Sequence, residues 1–156
     1  MEVLHMITNI PVAGVLKPGV FLNDLEILIL MYEEKIILSD VEIKWRIGQR
    51  IAWEETLWKG YGGMDMETKK DISFYLTKRF GSQYSLNMLA YYHEFYLTHL
   101  NLFDSVLHFD DDILSWDYYM AFLKVDDRKK RERLEHQAIE EHWSKMKLKR
   151  MVSERK

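Results

Sequence analysis

The chain contains no cysteine and only two prolines in 156 residues. Without cysteine there is no disulfide, no thiol nucleophile and no cysteine-ligated zinc, and the composition suits a reducing compartment such as the cytoplasm. Both prolines, Pro11 and Pro18, lie in the first 18 residues. Proline breaks helix interiors, so the proline-free remainder permits long helices throughout. Glycine is sparse and clustered: Gly14 and Gly19 lie beside the prolines, Gly60, Gly62 and Gly63 mark one loop, and Gly81 marks a turn. Only Gly48 interrupts a helical pattern. The longest apolar run, Ile27 to Tyr32, falls far short of the roughly 20 residues that cross a bilayer. The opening MEVLHMITNI has no basic stretch before an apolar one, so no signal peptide is expected. These absences point to a soluble, cytoplasmic chain with no membrane partner.

The residues that are present suit one folded domain. Hydrophobic residues make up 47% and charged residues 30%, enough apolar surface to fold without staples. Charge is unevenly spread. Residues 128–156 hold 11 Lys and Arg against 5 Glu, so the remainder carries the acidic excess that makes the whole −3. A basic tail on an acidic body is either a partner signal or a solvated helix of mixed charge.

Hydrophobic spacing predicts helices nearly throughout. After an arm at 1–20, Leu22, Leu25, Ile29, Tyr32, Ile36, Val41, Trp45, Ile47 and Ile51 recur at helical intervals over 21–57, with a candidate break at Ser39-Asp40. A glycine loop at 59–65 leads to a helix over 66–80, stopped by Gly81 as a left-handed C-cap. Ser85 caps a helix over 86–100. An irregular acidic segment follows at 101–113. Ser115 caps a short helix over 116–125, and Asp126 or Asp127 opens a last helical region that can restart near Ser144. The expected fold is therefore all-α: a single domain of five or six helices, with long helices at 21–57 and 127–156. The expected core is Leu25, Ile29, Trp45, Ile47, Ile51, Ile72, Leu76, Leu89, Leu97, Trp116 and Phe122, with Trp143 docking the last helix.

Helix 66–80, the short turn and helix 85–100 have the layout of a helix-turn-helix, as do many helical hairpins. In the DNA reading, Lys69, Lys70, Lys78 and Arg79 hold phosphates while Ser85, Asn87 and Tyr91 face the groove. The second helix has no Lys or Arg of its own, although DNA affinity comes mainly from those residues. It shows two apolar stripes instead, Leu86, Leu89, Ala90, His93 and Leu97 beside Met88, Tyr91, Tyr92, Phe95 and His99. In the alternative reading Met88, Tyr91, Tyr92 and Phe95 form a protein interface, either in a homodimer or with another protein. Core packing on both sides competes with each.

Catalytic motifs are weak. Asp40 with Glu42-Ile43-Lys44 spells half of a PD-(D/E)XK nuclease site, but that chemistry needs a strand and this segment has helical spacing. Asp110-Asp111-Asp112 lacks the alternating ligands of an EF-hand. His136 and Glu140 at i, i+4 fit a surface pair. Gly60-Tyr61-Gly62-Gly63 lacks the Lys and Ser/Thr of a phosphate loop. No catalytic residue, metal site or cofactor is expected.

The segments KWRIGQRI (44–51), Tyr61-Gly62, ISFYLTKRFGSQYSLNMLAYYHEFY (72–96), LSWDYYMAFLKVDD (114–127) and AIEEHWSKMKLKRMVSER (138–155) resemble the N-terminal domain of the YhcG-like family. The resemblance covers about residues 22–156. In full-length relatives a PD-(D/E)XK nuclease domain follows, and here the chain ends where it would begin. The resemblance implies a non-catalytic, DNA-binding helix-turn-helix domain, working alone or as the targeting part of a nuclease or mobile-element system.

Overall fold

The computed structural model describes residues 18–103 and 113–154. Among the described residues there are seven α-helices, two single-turn 3-10 helices and no strand. The all-α expectation holds, but five or six helices become seven because each of the two long helical patterns is broken. The chain also divides into two compact units rather than one, the first ending at Leu97 and the second beginning at Thr98. Helical spacing reveals which face of a segment is apolar, not which faces share a core, so this division was invisible to it.

In the first unit, α1 (Pro18–Glu33) begins three residues earlier than expected. Proline suits that first position, where no intrahelical partner for an N–H is lost. The chain leaves α1 through Lys35, whose φ of 62° is left-handed, and Ile36 N and Ile37 N both bond Met31 O. The expected break follows. Ser39 caps α2 (Asp40–Trp58), its side chain accepting from Glu42 N at 3.1 Å. A 3-10 turn (Lys59–Tyr61) ends at Gly62, φ 89°, and Gly63, φ 88°; a side chain would strain both.

Asp65 then caps α3 (Met66–Phe80), accepting from Thr68 N at 2.7 Å. Gly81 does end this helix, but with φ 118° and ψ 175°, an extended glycine-only conformation rather than the expected left-handed cap. A second 3-10 turn (Ser82–Tyr84) leads to α4 (Leu86–Thr98), with Met88 N donating to Ser85 Oγ at 3.4 Å. Ser82 and Gln83 of this connection are exposed, and Tyr84 anchors it in the core. Tyr84 packs edge-on against Phe80, and its carbonyl accepts from Ser73 Oγ at 3.3 Å. Burial pushes the Tyr84 hydroxyl pKa up to about 12.

The second unit contains α5 (Trp116–Leu123), α6 (Arg128–Glu140) and α7 (Lys145–Ser153). Ser115 sits at the N-cap of α5 without a side-chain capping bond, whereas Asp127 caps α6 by accepting from Lys129 N and Lys130 N. The predicted helix 127–156 breaks at His142, left-handed at φ 52°, and restarts at Ser144. Phe122, Val125, Leu134, Ala138, Trp143 and Leu148 form the core. Arg131 is buried and donates to the carbonyls of Val125 and Leu123, satisfying buried carbonyls at the C-terminal end of α5. Trp143 docks α7 as expected, and its carbonyl accepts from Tyr118 Oη at 2.7 Å.

The expected core residues of the first unit are buried except Leu97, which is 40% exposed. In the second unit Phe122 is buried and Trp116 half-buried. Asp110-Asp111-Asp112, most of the arm 1–20 and most of the segment 101–113 lie outside the described residues.

Candidate functional site

The site is built around a close helix crossing. A Cβ on Gly48 of α2 would lie 2.0 Å from the backbone oxygen of Tyr92 on α4. Only glycine lets two backbones approach so closely. Trp45 and Tyr96 pack edge to face next to this point, with ring centroids 5.1 Å apart. This contact divides α4 between two roles. Leu89, Tyr92 and Phe95 are buried in the core, whereas His93, Tyr96 and Leu97 line an open groove.

The groove has a volume of about 1060 Å³ and is walled by α1, α2 and α4. Ile27, Leu28 and Met31 of α1, Ala52 and Trp53 of α2 and Leu97 of α4 make its wall largely apolar. Trp53 is 46% exposed. Solvent-facing apolar surface of this kind, in a concavity of this size, is the usual form of a binding site.

One ionic network enters this wall. Arg50 Nε donates to Asp24 Oδ2 at 2.5 Å and its Nη1 to Glu54 Oε1 at 2.8 Å. Trp58 Nε1 donates to Glu54 Oε2 at 2.7 Å. The guanidinium lies over the rings of Phe21, at 5.1 Å, and Trp53, at 5.0 Å, an arrangement favourable to a cation. Asp24 is only 5% exposed. Among the described residues its Oδ1 has no hydrogen-bond partner. Burial pushes its carboxyl pKa up, and the hydrogen bond and charge of Arg50 only partly oppose this. His93, shared between the groove and a smaller neighbouring cavity, is held toward its neutral form. Burial lowers its pKa, and Lys69 adds to this against the opposite pull of Glu55 and Glu94.

The residues expected to contact DNA are not equivalent in the structure. Lys69 is paired with Glu55 at 2.9 Å, and Arg79 with Glu26, which also accepts from Tyr75 Oη. Lys70 and Lys78 are exposed and, among the described residues, make no ion pair. Lys78 lies 6.0 Å from the ring of Phe74. On α4, Asn87 is exposed, Tyr91 half-buried, and Ser85 serves as the cap.

The expected protein interface needs correction. Tyr92 and Phe95 are fully buried, and Tyr92 Oη donates to Gln83 O at 2.6 Å, so both are core. Met88 is half-buried. The stripe that does line an apolar concavity is the other one, through His93 and Leu97. Asp24 and Arg50 were not singled out in the sequence; Asp24 is one of three acids in α1, with Glu26 and Glu33, and nothing local marks it as the buried one.

Glu42 and Lys44, read above as half a nuclease motif, are engaged separately at the start of α2. Lys44 Nζ bonds Asp40 Oδ1 at 2.5 Å, and Glu42 pairs with Arg46 at 3.1 Å. Among the described residues no group of three or more His, Asp or Glu is placed to hold a metal ion, and no helix is long and apolar enough to cross a membrane.

The family model described as the DUF1016 N-terminal domain matches residues 33–156. No curated protein and no solved structure matches the chain.

Proposed function

The chain belongs to the DUF1016 N-terminal domain family, the N-terminal domain of YhcG-like proteins, and from that premise we propose that it is a protein-interaction domain. Its groove between α1, α2 and α4 captures an apolar segment of a partner protein, and the chain itself catalyses no reaction. One observation carries this reading: the concavity of about 1060 Å³ is largely apolar and includes the exposed ring of Trp53 beside Arg50. Tryptophan and arginine are the side chains on which binding energy most often concentrates.

A photo-cross-linking residue at position 53, in cells, tests this. The reading expects an adduct that forms from position 53, does not form from Met146, which is 83% exposed elsewhere, and disappears when Ala52→Trp fills the groove. Equal labelling from both positions, or adducts indifferent to Ala52→Trp, would refute it.

DNA binding is the second reading. It is favoured by Lys70, Phe74 and Lys78, which repeat at i, i+4, i+8 along α3 with Phe74 69% exposed. Cations flanking an exposed aromatic ring suit phosphates and an unstacked base. In this reading the α3–turn–α4 hairpin is a helix-turn-helix that grips mainly through its first helix, because α4 turns its central residues into the core. Anisotropy with labelled DNA at ~50 and ~200 mM salt tests it, since phosphate contacts weaken steeply with salt. Salt-sensitive binding lost on joint replacement of Lys69, Lys70, Lys78 and Arg79 supports DNA; no binding at the lower salt removes it.

A further inference from the structure

We propose that the groove takes an amphipathic helix of a partner protein whose apolar face carries one Asp or Glu, at the end that meets Lys59. This rests on the groove reading and adds the partner's chemistry.

The construction of the walls selects a helix. All three are the sides of α-helices, α1, α2 and α4, whose central N–H and C=O groups bond within their own helix. Such walls present no backbone donor or acceptor to an extended peptide. Its own polar groups would be left unpaired against Ile27, Leu28 and Leu97, which is unfavourable. A helix satisfies its backbone internally and offers only side chains to the groove. The groove follows α2 from Arg46 to Lys59. At 1.5 Å per residue that is roughly 20 Å, between three and four turns of a docked helix.

The charges select the acid and its place. Every charged side chain of the wall but one is already answered. Arg46 pairs with Glu42 at 3.1 Å, and Glu55 with Lys69 at 2.9 Å. Arg50 serves both Asp24 and Glu54. The excess negative charge of that trio lies at Asp24, where burial closes it from a partner and raises its pKa. Lys59 is exposed and, among the described residues, makes no ion pair. The accessible unmatched charge of the wall is therefore one cation, at one end of an apolar concavity. Its backbone is firmly placed. Lys59 is the C-cap residue of α2, with Gly63 N bonding Trp58 O at 2.9 Å and Gly62 N bonding Lys59 O at 3.3 Å. A partner cation at this end would face like charge, whereas a carboxylate complements it and fixes the register of the helix.

The test uses the full chain and labelled helical peptides with a leucine face, carrying Glu, Gln or Lys at successive positions of that face. Fluorescence anisotropy at ~50 mM salt should show one register at which Glu binds about two- to fivefold tighter than Gln, the scale of an exposed ion pair, with Lys weakest. Lys59→Glu should reverse that order at the same register, and ~500 mM salt should flatten it. Equal binding of the Glu and Gln peptides at every register, or an order that Lys59→Glu leaves unchanged, would overturn the acid opposite Lys59; if Ala52→Trp abolishes that binding, the groove reading stands. Absence of binding by every peptide would overturn both. Sedimentation of the chain as a dimer that Trp53→Asp dissociates would give the groove to a second copy, and a partner helix would then be the wrong occupant.

Discussion

Replacing Gly48 by alanine separates two opposite expectations. In an exposed helix interior, Gly→Ala stabilises by about 1 kcal/mol, because glycine loses more backbone freedom on folding. At position 48 the added carbon would meet the Tyr92 carbonyl oxygen at 2.0 Å, its carbon at 2.7 Å and Tyr96 Cβ at 2.9 Å. The first two are backbone atoms, and no rotamer change moves them. Restoring ordinary contact requires α2 and α4 to separate by more than 1 Å at their crossing. That separation loosens the Trp45–Tyr96 ring contact beside it. Overpacking costs about 1–3 kcal/mol; against two backbone atoms that cannot give way it lies toward the upper end, so after the propensity gain of about 1 kcal/mol the net change is destabilising by roughly 1–2 kcal/mol. Thermal unfolding followed by far-ultraviolet circular dichroism should show the midpoint lowered by about 2–8 °C. Gly60→Ala supplies the control, since nothing lies within 4 Å of a Cβ there; it should be neutral or slightly stabilising. A Gly48→Ala protein as stable as the parent would mean that the two helices do not approach through this residue, and the division of α4 between core and groove would lose its basis.

Arg50→Met should destabilise by about 3–5 kcal/mol, because it leaves Asp24 and Glu54 buried with no counter-charge; urea unfolding measures this, and a loss under 1 kcal/mol would mean that the network is solvated. His93 has its pKa lowered by burial, so it favours the folded state fully above the unfolded value of about 6.5, and this contribution is lost as pH falls through the lower folded-state value. Stability should therefore decline with acidification in that window, and His93→Gln should flatten the decline; identical slopes would count against a buried neutral imidazole between Glu55, Lys69 and Glu94. Trp143→Ala should cost about 3–5 kcal/mol and release α7, seen as faster amide exchange over residues 145–153. Unchanged protection there would show that Leu148 and its neighbours hold the helix alone.

Local signals were legible and long-range ones were not. Helix α3 was placed correctly from its glycine stop and apolar spacing, and Ser39, Ser85, Asp127 and Ser144 marked helix starts, because capping depends on a few adjacent residues. The left-handed turns at Lys35 and His142 had no such mark, so the sequence offered the breaks near Ser39 and Ser144 only as alternatives within two long helical patterns. Arg50 and Glu54 sit one helical turn apart and could have been paired from the sequence. Asp24 lies 26 residues from Arg50, and nothing local connects them. The solitary glycine at 48 was noticed, but its meaning depends on a backbone forty-four residues later in the chain.

The apolar character of α4 could be read in the sequence, yet its cause could not. A helix apolar on two faces fits burial on both, or burial on one and binding on the other, and composition alone does not choose between them. The choice is made by where Gly48 meets α4. Contact through Tyr92 draws the face of Leu89, Tyr92 and Phe95 into the core and leaves His93, Tyr96 and Leu97 along the groove. A major-groove helix would need a polar, basic outer face at these positions. Here they carry a histidine held toward neutrality, a tyrosine and a leucine, and the nearest matched charges are already paired. Desolvating these three side chains removes little favourable hydration, whereas a phosphate backbone laid against them would find Arg46 and Arg50 already paired with carboxylates and only Lys59, at the end of the wall, without an ion pair among the described residues. On the proposed reading, that comparison, rather than the helix-turn-helix layout, favours an apolar partner on this face and leaves Lys70, Phe74 and Lys78 on α3 as the surface for any contact with nucleic acid.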